Sequence, residues 1–219
     1  VAAHVGALDP RLAQSIIAVK GPRQLGQRLG NWVTREEAQV ILDEPSPDLL
    51  KGTRDRAILG LLFGCGLRRS EVVELMWGQL QERDGHHVLV DIAGKHGRIR
   101  TLKVPVWVWR RIMNWAEASG DALEGFVFRS LRKGGAIDGD SLSPQAIRGV
   151  VKAYAEDLAP HDARRTFAKL ARKGGAPLEQ IQLTLGHVSI ATTERYLGTE
   201  LNLDATAVDF TGLREERSD

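Results

Sequence analysis

Four side chains in the last third of this 219-residue chain could together act on a phosphodiester. They are His161 and Arg164, three positions apart, then His187 within Leu-Gly-His, and Tyr196 nine residues later. An arginine can clamp two phosphate oxygens, a histidine can move a proton, and a phenol can serve as a nucleophile. The chain contains only two tyrosines, Tyr154 and Tyr196, so the choice of phenol is narrow.

A phenol needs help to attack phosphorus, because an unperturbed tyrosine has a pKa of about 10. Ionising it at pH 7 costs roughly 4 kcal/mol, which nearby cations or a base must offset. Two upstream residues supply cations: Arg68, within Gly-Leu-Arg-Arg-Ser-Glu at residues 66–71, and Lys95, in a turn between two predicted strands. Arginines can stabilise charge on the phosphoryl oxygens, and a flexible lysine at a turn can reach a leaving oxygen.

Taken together, these residues resemble the catalytic domain of the tyrosine recombinase (phage integrase) family. The first motif of that family reads roughly Gly-Leu-Arg-x-Ser-Glu and matches residues 66–71. The second reads His-x-x-Arg, Leu-Gly-His and Tyr, in the order and at the separations found here. The family's lysine lies on a β-hairpin between the two motifs, as Lys95 does. The resemblance covers about residues 31–200, and six matching residues in order are far more specific than any one of them.

The resemblance implies how a strand would be cut. Tyr196 attacks the scissile phosphate and forms a covalent 3′-phosphotyrosine link, which frees a 5′-hydroxyl. Lys95 is the general acid for the leaving 5′ oxygen, and His161 assists proton transfer with Tyr196.

The resemblance also implies how the phosphate is held. Arg68 and Arg164 clamp the non-bridging oxygens, His187 hydrogen-bonds the phosphate, and Glu71 orients the site. It implies neither a metal nor another cofactor, because the phosphotyrosine bond conserves the energy for resealing. The spacing of the histidines and the single cysteine likewise offers no zinc motif.

As a family member, the chain is expected to be a site-specific DNA recombinase or integrase. Its partners would be double-stranded DNA and further copies of itself in a tetrameric synapse. When isolated from DNA, the protein would be a monomer. Two alternatives remain open. One is a DNA-binding regulator of the same fold that does not cut, and the other is an enzyme that relaxes DNA as type IB topoisomerases do.

Each residue also has an ordinary explanation when taken alone. Histidines are commonly hydrogen-bonded, arginines form surface ion pairs, and a turn lysine discourages edge pairing. Three basic residues around the turn are expected either to contact DNA phosphates or to lie on a solvated face: Arg98, Arg100 and Lys103. Tyr154 and the five tryptophans are expected to pack in or near the core.

The sequence patterns around these residues predict a mostly α domain with one small antiparallel β-sheet, which is an α+β fold. Thr34 to Glu37 form a capping box, Thr53 is expected to cap the next helix, and Ser143-Pro144 begins a helix that reaches about residue 158. Strands are predicted at 87–92 and 98–104, and a glycine-rich loop at 133–139. Further helices are predicted at 70–77, 107–118, 160–173, 177–185 and 189–197.

The chain divides into three parts by pattern. Residues 1–30 are expected to be the remnant of an upstream DNA-binding domain and its linker, and residues 31–200 the catalytic domain. Residues 201–219 form an acidic C-terminal tail, in which 201–213 is the candidate arm exchanged between protomers. The alternatives are a frayed tail and a strand or helix packed on its own domain.

Charge and composition set broad limits. Residues 200–219 carry a net charge of −4 and the rest of the chain +6, which hints at a polyanionic partner, although a total of +2 is also merely solubilising. A lone cysteine, Cys65, fits a reducing, cytoplasmic setting, and the sequence contains no apolar run of membrane-spanning length.

Overall fold

The computed structural model describes residues 31–94, 97–120, 123–132, 135–139, 141–187 and 189–197. Within them the chain is mostly α-helical, with the helices α1 (Arg35–Asp43), α2 (Leu50–Gly64), α3 (Arg69–Val73), α4 (Val106–Ser119), α5 (Pro144–Tyr154), α6 (Pro160–Lys173), α7 (Leu178–Leu185) and α8 (Ile190–Leu197). An antiparallel sheet has the order β1 (Leu80–Arg83), β2 (His86–Ala93), β3 (Ile99–Lys103). The predicted α+β fold is confirmed. None of the described helices is long and apolar enough to cross a membrane.

Two helix starts follow directly from local chemistry. The Thr34 hydroxyl accepts a hydrogen bond from the Glu37 N–H at 3.2 Å, and the Glu37 carboxylate accepts from the Thr34 N–H at 2.7 Å. This is the predicted capping box, and it satisfies two donors that the first turn of α1 leaves unpaired. The Ser143 hydroxyl accepts from the Ala146 N–H at 3.1 Å at the start of α5.

Helix α2 forms the centre of the main core. Its apolar residues are almost completely buried on all sides, and they pack against α4, α5 and α6: Ala57, Ile58, Leu59, Leu61 and Leu62. A second, smaller cluster joins α6, α7 and α8 through Ala168, Ile181, Leu185 and Leu197. The second cluster therefore fixes the segment that carries His187 and Tyr196 against α6.

A buried carboxylate ties α2 to α5. Asp55 is fully buried and accepts hydrogen bonds from Lys51 at 2.6 Å and from Arg54 at 2.8 and 3.0 Å. The Tyr154 hydroxyl donates to Asp55 at 3.0 Å, and Lys51 donates to the same phenol oxygen at 3.2 Å. Tyr154 thus packs against the core, as predicted, and also closes a polar network there.

The β2–β3 hairpin is irregular where it approaches the helices. The register shifts between Leu89 and Ile92, and Asp91 has a φ of 53°, which marks a β-bulge. Beyond the bulge Ile92 lies opposite Arg100. The Gly94 N–H then donates to the Arg98 carbonyl at 2.6 Å and closes the hairpin.

Four local predictions are wrong. Helix α3 ends at Val73 because the chain after it pairs with residues 125–127: the Val127 N–H donates to the Leu75 carbonyl at 2.8 Å. Thr53 lies inside α2, where its hydroxyl donates back to the Leu49 carbonyl at 3.2 Å instead of capping the helix. Helix α5 stops at Tyr154, before the predicted end near residue 158. The predicted loop at 133–139 contains one strand of a second, two-stranded sheet, which is formed by β4 (Ser130–Leu131) and β5 (Ile137–Asp138).

Candidate active site

A buried carboxylate, Glu71, lies at the centre of the candidate site. Its Oε1 accepts hydrogen bonds from Arg68 Nη1 at 2.6 Å and from Arg100 Nη1 at 2.9 Å. Its Oε2 accepts from Arg100 Nη2 at 2.8 Å and from the Arg68 backbone N–H at 2.8 Å. Arg164 Nη1 lies 3.9 Å from the same oxygen. One carboxylate therefore contacts arginines from three separate elements.

Glu71 remains ionised despite its burial, since its side chain is only 2% exposed. Burial by itself raises the pKa of a carboxyl group, but the hydrogen bonds and charge of Arg100, the Arg68 N–H and the charge of Arg164 outweigh it and hold the pKa of Glu71 at about 2. The cluster of three arginines and one carboxylate consequently carries a net charge of +2.

Arg164 connects two loops of the site from the second turn of α6. The residue is 1% exposed, and its Nη1 donates to the Gly66 carbonyl at 2.5 Å. Its Nη2 donates to the Leu185 carbonyl at the C-terminal end of α7. The guanidinium therefore joins the first motif to the turn that precedes His187.

Gly66 is needed for the close approach of the first motif to α6. Its φ is +63°, and a β-carbon there would lie 2.6 Å from Cδ1 of Phe167. The turn leads into Arg68, which directly precedes α3 and whose side chain is 28% exposed. Arg68 is thus held by Glu71 on one side and open to solvent on the other.

The two motifs meet at a cleft of about 390 Å³. Arg68 lines it from the start of α3, and His161 and Arg164 line it from the first two turns of α6, together with Arg69, Ser70 and Arg148. The His161 residue is exposed overall. Loss of solvent around its ring and the charges of Arg165 and Arg164 nevertheless lower its pKa, which favours a neutral imidazole able to accept a proton.

His187 is held by a helix-ending turn. Gly186 has a φ of 61° and ends α7, and the His187 N–H donates to the Gln182 carbonyl at 3.1 Å. The ring Nδ1 lies 2.9 Å from the hydroxyl of Thr193, which is fully buried on α8.

Burial and the charges of Arg164 and Arg68 lower the pKa of His187 to about 4, so the ring is neutral at pH 7. When the Thr193 hydroxyl donates to Nδ1, the proton resides on Nε2, which can donate to a phosphate oxygen.

Of two further predicted residues, one is described only by its helix and the other is not described. Tyr196 lies on α8, whose neighbouring residue Leu197 is buried in the second cluster, while the side chain of Tyr196 is outside the described part of the molecule. Lys95 falls between the end of β2 and the start of β3 and lies outside the described residues, as do residues 1–30 and the tail at 201–219.

The sequence of residues 31–201 matches the model of the phage integrase family. The chain belongs to this family. The predicted recognition is therefore confirmed, and the family's two motifs are the segments that meet at the cleft.

Relatives within the family are tyrosine recombinases by name. The chain is 31% identical over 218 residues to the tyrosine recombinase XerC of Xanthomonas axonopodis pv. citri, covering 97% of this chain and 67% of the relative. It is 32% identical over 211 residues to XerC of Xanthomonas campestris pv. campestris, covering 94% of this chain and 61% of the relative. The chain thus spans about 61 to 67% of the length of these relatives.

Solved structures of the same fold include other recombinases. The XerA recombinase superposes with a TM-score of 0.63 at 20% identity, covering 84% of this chain and 63% of XerA. The XerH site-specific recombinase, bound to its difH substrate before cleavage, superposes with a TM-score of 0.58 at 20% identity, covering 75% of this chain and 49% of XerH.

The integrase-family fold brings most of the predicted site residues together. Arg68, His161 and Arg164 share one cleft, and His187 is close enough for their charges to lower its pKa. The catalytic roles assigned to these residues remain predictions. Among the residues that the structure describes, no three His, Cys, Asp or Glu side chains are grouped to hold a metal ion.

Arg100 is a residue of this site that the two motifs do not contain. The sequence predicts that it faces DNA or solvent, but its side chain is only 10% exposed and bonds to Glu71 with both terminal nitrogens. The alternation of side chains between the two faces of β3 could have indicated this burial, because Arg100 shares a strand face with Leu102, which is buried.

Stability should fall in two stages as the pH is lowered. Between pH 6.5 and about 4 the unfolded chain binds a proton at His187 that the folded protein does not bind, because the pKa of His187 is lowered on folding. The lowered pKa of His161 acts in the same direction. The same holds for Glu71 between pH 4.5 and about 2, where full protonation removes about 3 kcal/mol of unfolding free energy. These contributions to the unfolding free energy are therefore present in full at neutral pH and are lost in acid.

Urea unfolding at a series of pH values measures this loss. We expect Glu71→Gln to remove the stage below pH 4.5 and His187→Gln to remove much of the stage above it. A Glu71→Gln variant that loses as much stability as the wild type below pH 4.5 would show that Glu71 is not the group responsible.

Proposed function

We propose that this chain is the catalytic part of a site-specific tyrosine recombinase that cuts and rejoins double-stranded DNA. The observation that carries the proposal is the convergence of Arg68, His161 and Arg164 on one cleft, next to His187 and the helix that bears Tyr196. The relatives named above are recombinases, and the XerH structure holds that enzyme's DNA substrate.

Strand cleavage begins with the phenol of Tyr196. Its oxygen attacks the scissile phosphorus, a bond forms between them, and the bond from phosphorus to the 5′ oxygen breaks. The phenolic proton passes to His161, whose lowered pKa favours the neutral, proton-accepting ring. Lys95 supplies a proton to the departing 5′ oxygen, so a 5′-hydroxyl and a 3′-phosphotyrosine result.

The phosphate is held by groups that are already oriented before DNA binds. Arg68 and Arg164 stabilise the charge that develops on the non-bridging oxygens, and His187 donates one further hydrogen bond. Since Glu71 and the backbone carbonyls fix both guanidinium groups, little rearrangement is needed as the charge develops. Rejoining reverses the steps, with a 5′-hydroxyl from another strand attacking the phosphotyrosine.

Exchange between two DNA duplexes requires more than one active site. We infer a tetrameric synapse on DNA, with residues 201–213 docked on a neighbouring protomer. The excess positive charge outside the C-terminal tail supports a DNA partner, and DNA exchange of this kind fits a cytoplasmic protein with one buried cysteine.

The test is capture of a covalent protein–DNA link. The 219-residue chain is incubated in EDTA with a pool of nicked duplexes of randomised sequence, and DNA that stays attached through SDS denaturation is recovered and sequenced. A nick near the scissile phosphate lets the freed 5′ end diffuse away, so the link should accumulate, and peptide mass spectrometry should place it on Tyr196.

Other outcomes favour the alternatives. DNA binding without any SDS-resistant link would indicate a regulator that does not cut. Relaxation of supercoiled plasmid with no exchange between recovered sites would indicate topoisomerase-like activity.

A further inference from the structure

We propose that Arg100 is a positioning residue for strand cleavage, which neutralises Glu71 and packs against the glycines that immediately precede Lys95 and His187. The inference rests on the proposed recombinase function and adds a residue that the two family motifs do not contain. Arg100 acts through its neighbours, because its guanidinium is engaged with protein groups and not aimed at the open cleft.

The guanidinium of Arg100 joins three elements. Its Nη1 and Nη2 bond to the two oxygens of Glu71 at 2.9 and 2.8 Å, and its Nε donates to the Thr184 carbonyl at 2.8 Å. The last carbonyls of a helix have no partner within the helix. Arg100 therefore caps the end of α7 at Thr184, next to the Leu185 carbonyl that Arg164 binds.

Arg100 also determines how much of the Glu71 charge the other arginines must balance. Glu71 has a single negative charge and contacts three guanidinium groups. Because Arg100 takes both carboxylate oxygens in a bidentate pair, Arg68 and Arg164 keep most of their positive charge for phosphate. Without Arg100, the buried carboxylate would be balanced by those two arginines alone.

The packing of Arg100 reaches two loops of the site. A β-carbon on Gly186 would lie 3.1 Å from Cδ and 3.3 Å from Nε of Arg100, and one on Gly94 would lie 3.6 Å from its Nη1. Gly186 directly precedes His187, and Gly94 directly precedes Lys95. A change at Arg100 should therefore displace a phosphate ligand and the general acid together.

The experiment compares Arg100→Gln and Arg100→Lys with the wild type in single-turnover cleavage of a duplex recovered by the covalent capture. Neither replacement can form the bidentate pair with Glu71. We expect the cleavage rate constant at saturating DNA to fall about 100-fold for Arg100→Gln, while DNA affinity changes by less than about threefold. Arg83→Gln is the matched control, since Arg83 is exposed on the same sheet and bonds to the side chain of Gln81.

A second substrate separates positioning from a general loss of structure. When sulfur replaces the bridging 5′ oxygen, the leaving thiolate needs no proton, so a misplaced Lys95 no longer slows cleavage. We expect the deficit of Arg100→Gln to shrink about tenfold on this substrate, whereas a merely unstable protein would show the same deficit on both. Urea unfolding verifies that each variant is folded under the assay conditions.

The outcomes are distinct. Cleavage by both Arg100 variants within about threefold of the wild type overturns the inference, and so does an equal deficit on the oxygen and sulfur substrates. Absence of any covalent link with the wild-type chain would instead refute the recombinase function itself. If Arg100→Gln does not fold, the same comparison is made with Arg100→Lys, which keeps the charge and most of the side-chain volume.

Discussion

Replacement of Tyr196 by phenylalanine should abolish the covalent protein–DNA link while leaving DNA binding intact. Phenylalanine keeps the aromatic ring but has no oxygen to bond with phosphorus. The measurement is the fraction of nicked duplex that remains attached to protein after SDS denaturation, with the dissociation constant for the same DNA measured in parallel.

The chain offers a matched control in its other tyrosine. Tyr154→Phe removes the hydroxyl that donates to the buried Asp55, so we expect a loss of about 1 to 2 kcal/mol in unfolding free energy. Covalent capture by Tyr154→Phe should nevertheless stay near the wild-type level. A link that survives in Tyr196→Phe, or disappears only in Tyr154→Phe, would contradict the assignment of the nucleophile.

The features that the sequence predicted correctly depend on local contacts. The capping box at Thr34 and Glu37 and the serine cap at Ser143 each involve residues three positions apart, so their patterns are visible in a short stretch of sequence. The glycine that ends α7 is also local, because Gly186 adopts a left-handed conformation that few other residues accept.

The features that were missed depend on contacts between distant segments. Helix α3 is shorter than its pattern suggests because residues near Leu75 pair with a strand-like segment about fifty positions later. Arg100 lies 29 residues from Glu71 and 84 from Thr184, so no motif search on neighbouring positions would join them. The family motifs were sufficient to predict several of the residues that line the cleft. The hydrogen-bond network around Glu71 could be identified only from the folded structure.

Replacement of Arg164 is expected to cause the largest combined loss of stability and cleavage. The side chain of Arg164 is only 2% exposed, and its guanidinium bonds to the carbonyls of Gly66 and Leu185 and lies near the carboxylate of Glu71. Arg164→Lys keeps a positive charge but cannot reach both carbonyls from one nitrogen. Because breaking a buried, hydrogen-bonded charge network costs about 3 to 5 kcal/mol, we expect the unfolding free energy to fall by that amount.

Cleavage by Arg164→Lys should fall by a factor of about 10³ in single-turnover assays, since one ammonium cannot clamp two phosphate oxygens as a guanidinium does. Arg132→Lys is the control: Arg132 forms an ion pair with Asp138, but its side chain is 69% exposed, so the change should cost less than about 1 kcal/mol. Assays at low temperature, where urea titration shows Arg164→Lys to be folded, separate the two effects. A folded, destabilised variant that cleaves at the wild-type rate would show that Arg164 supports the fold alone and does not hold the phosphate.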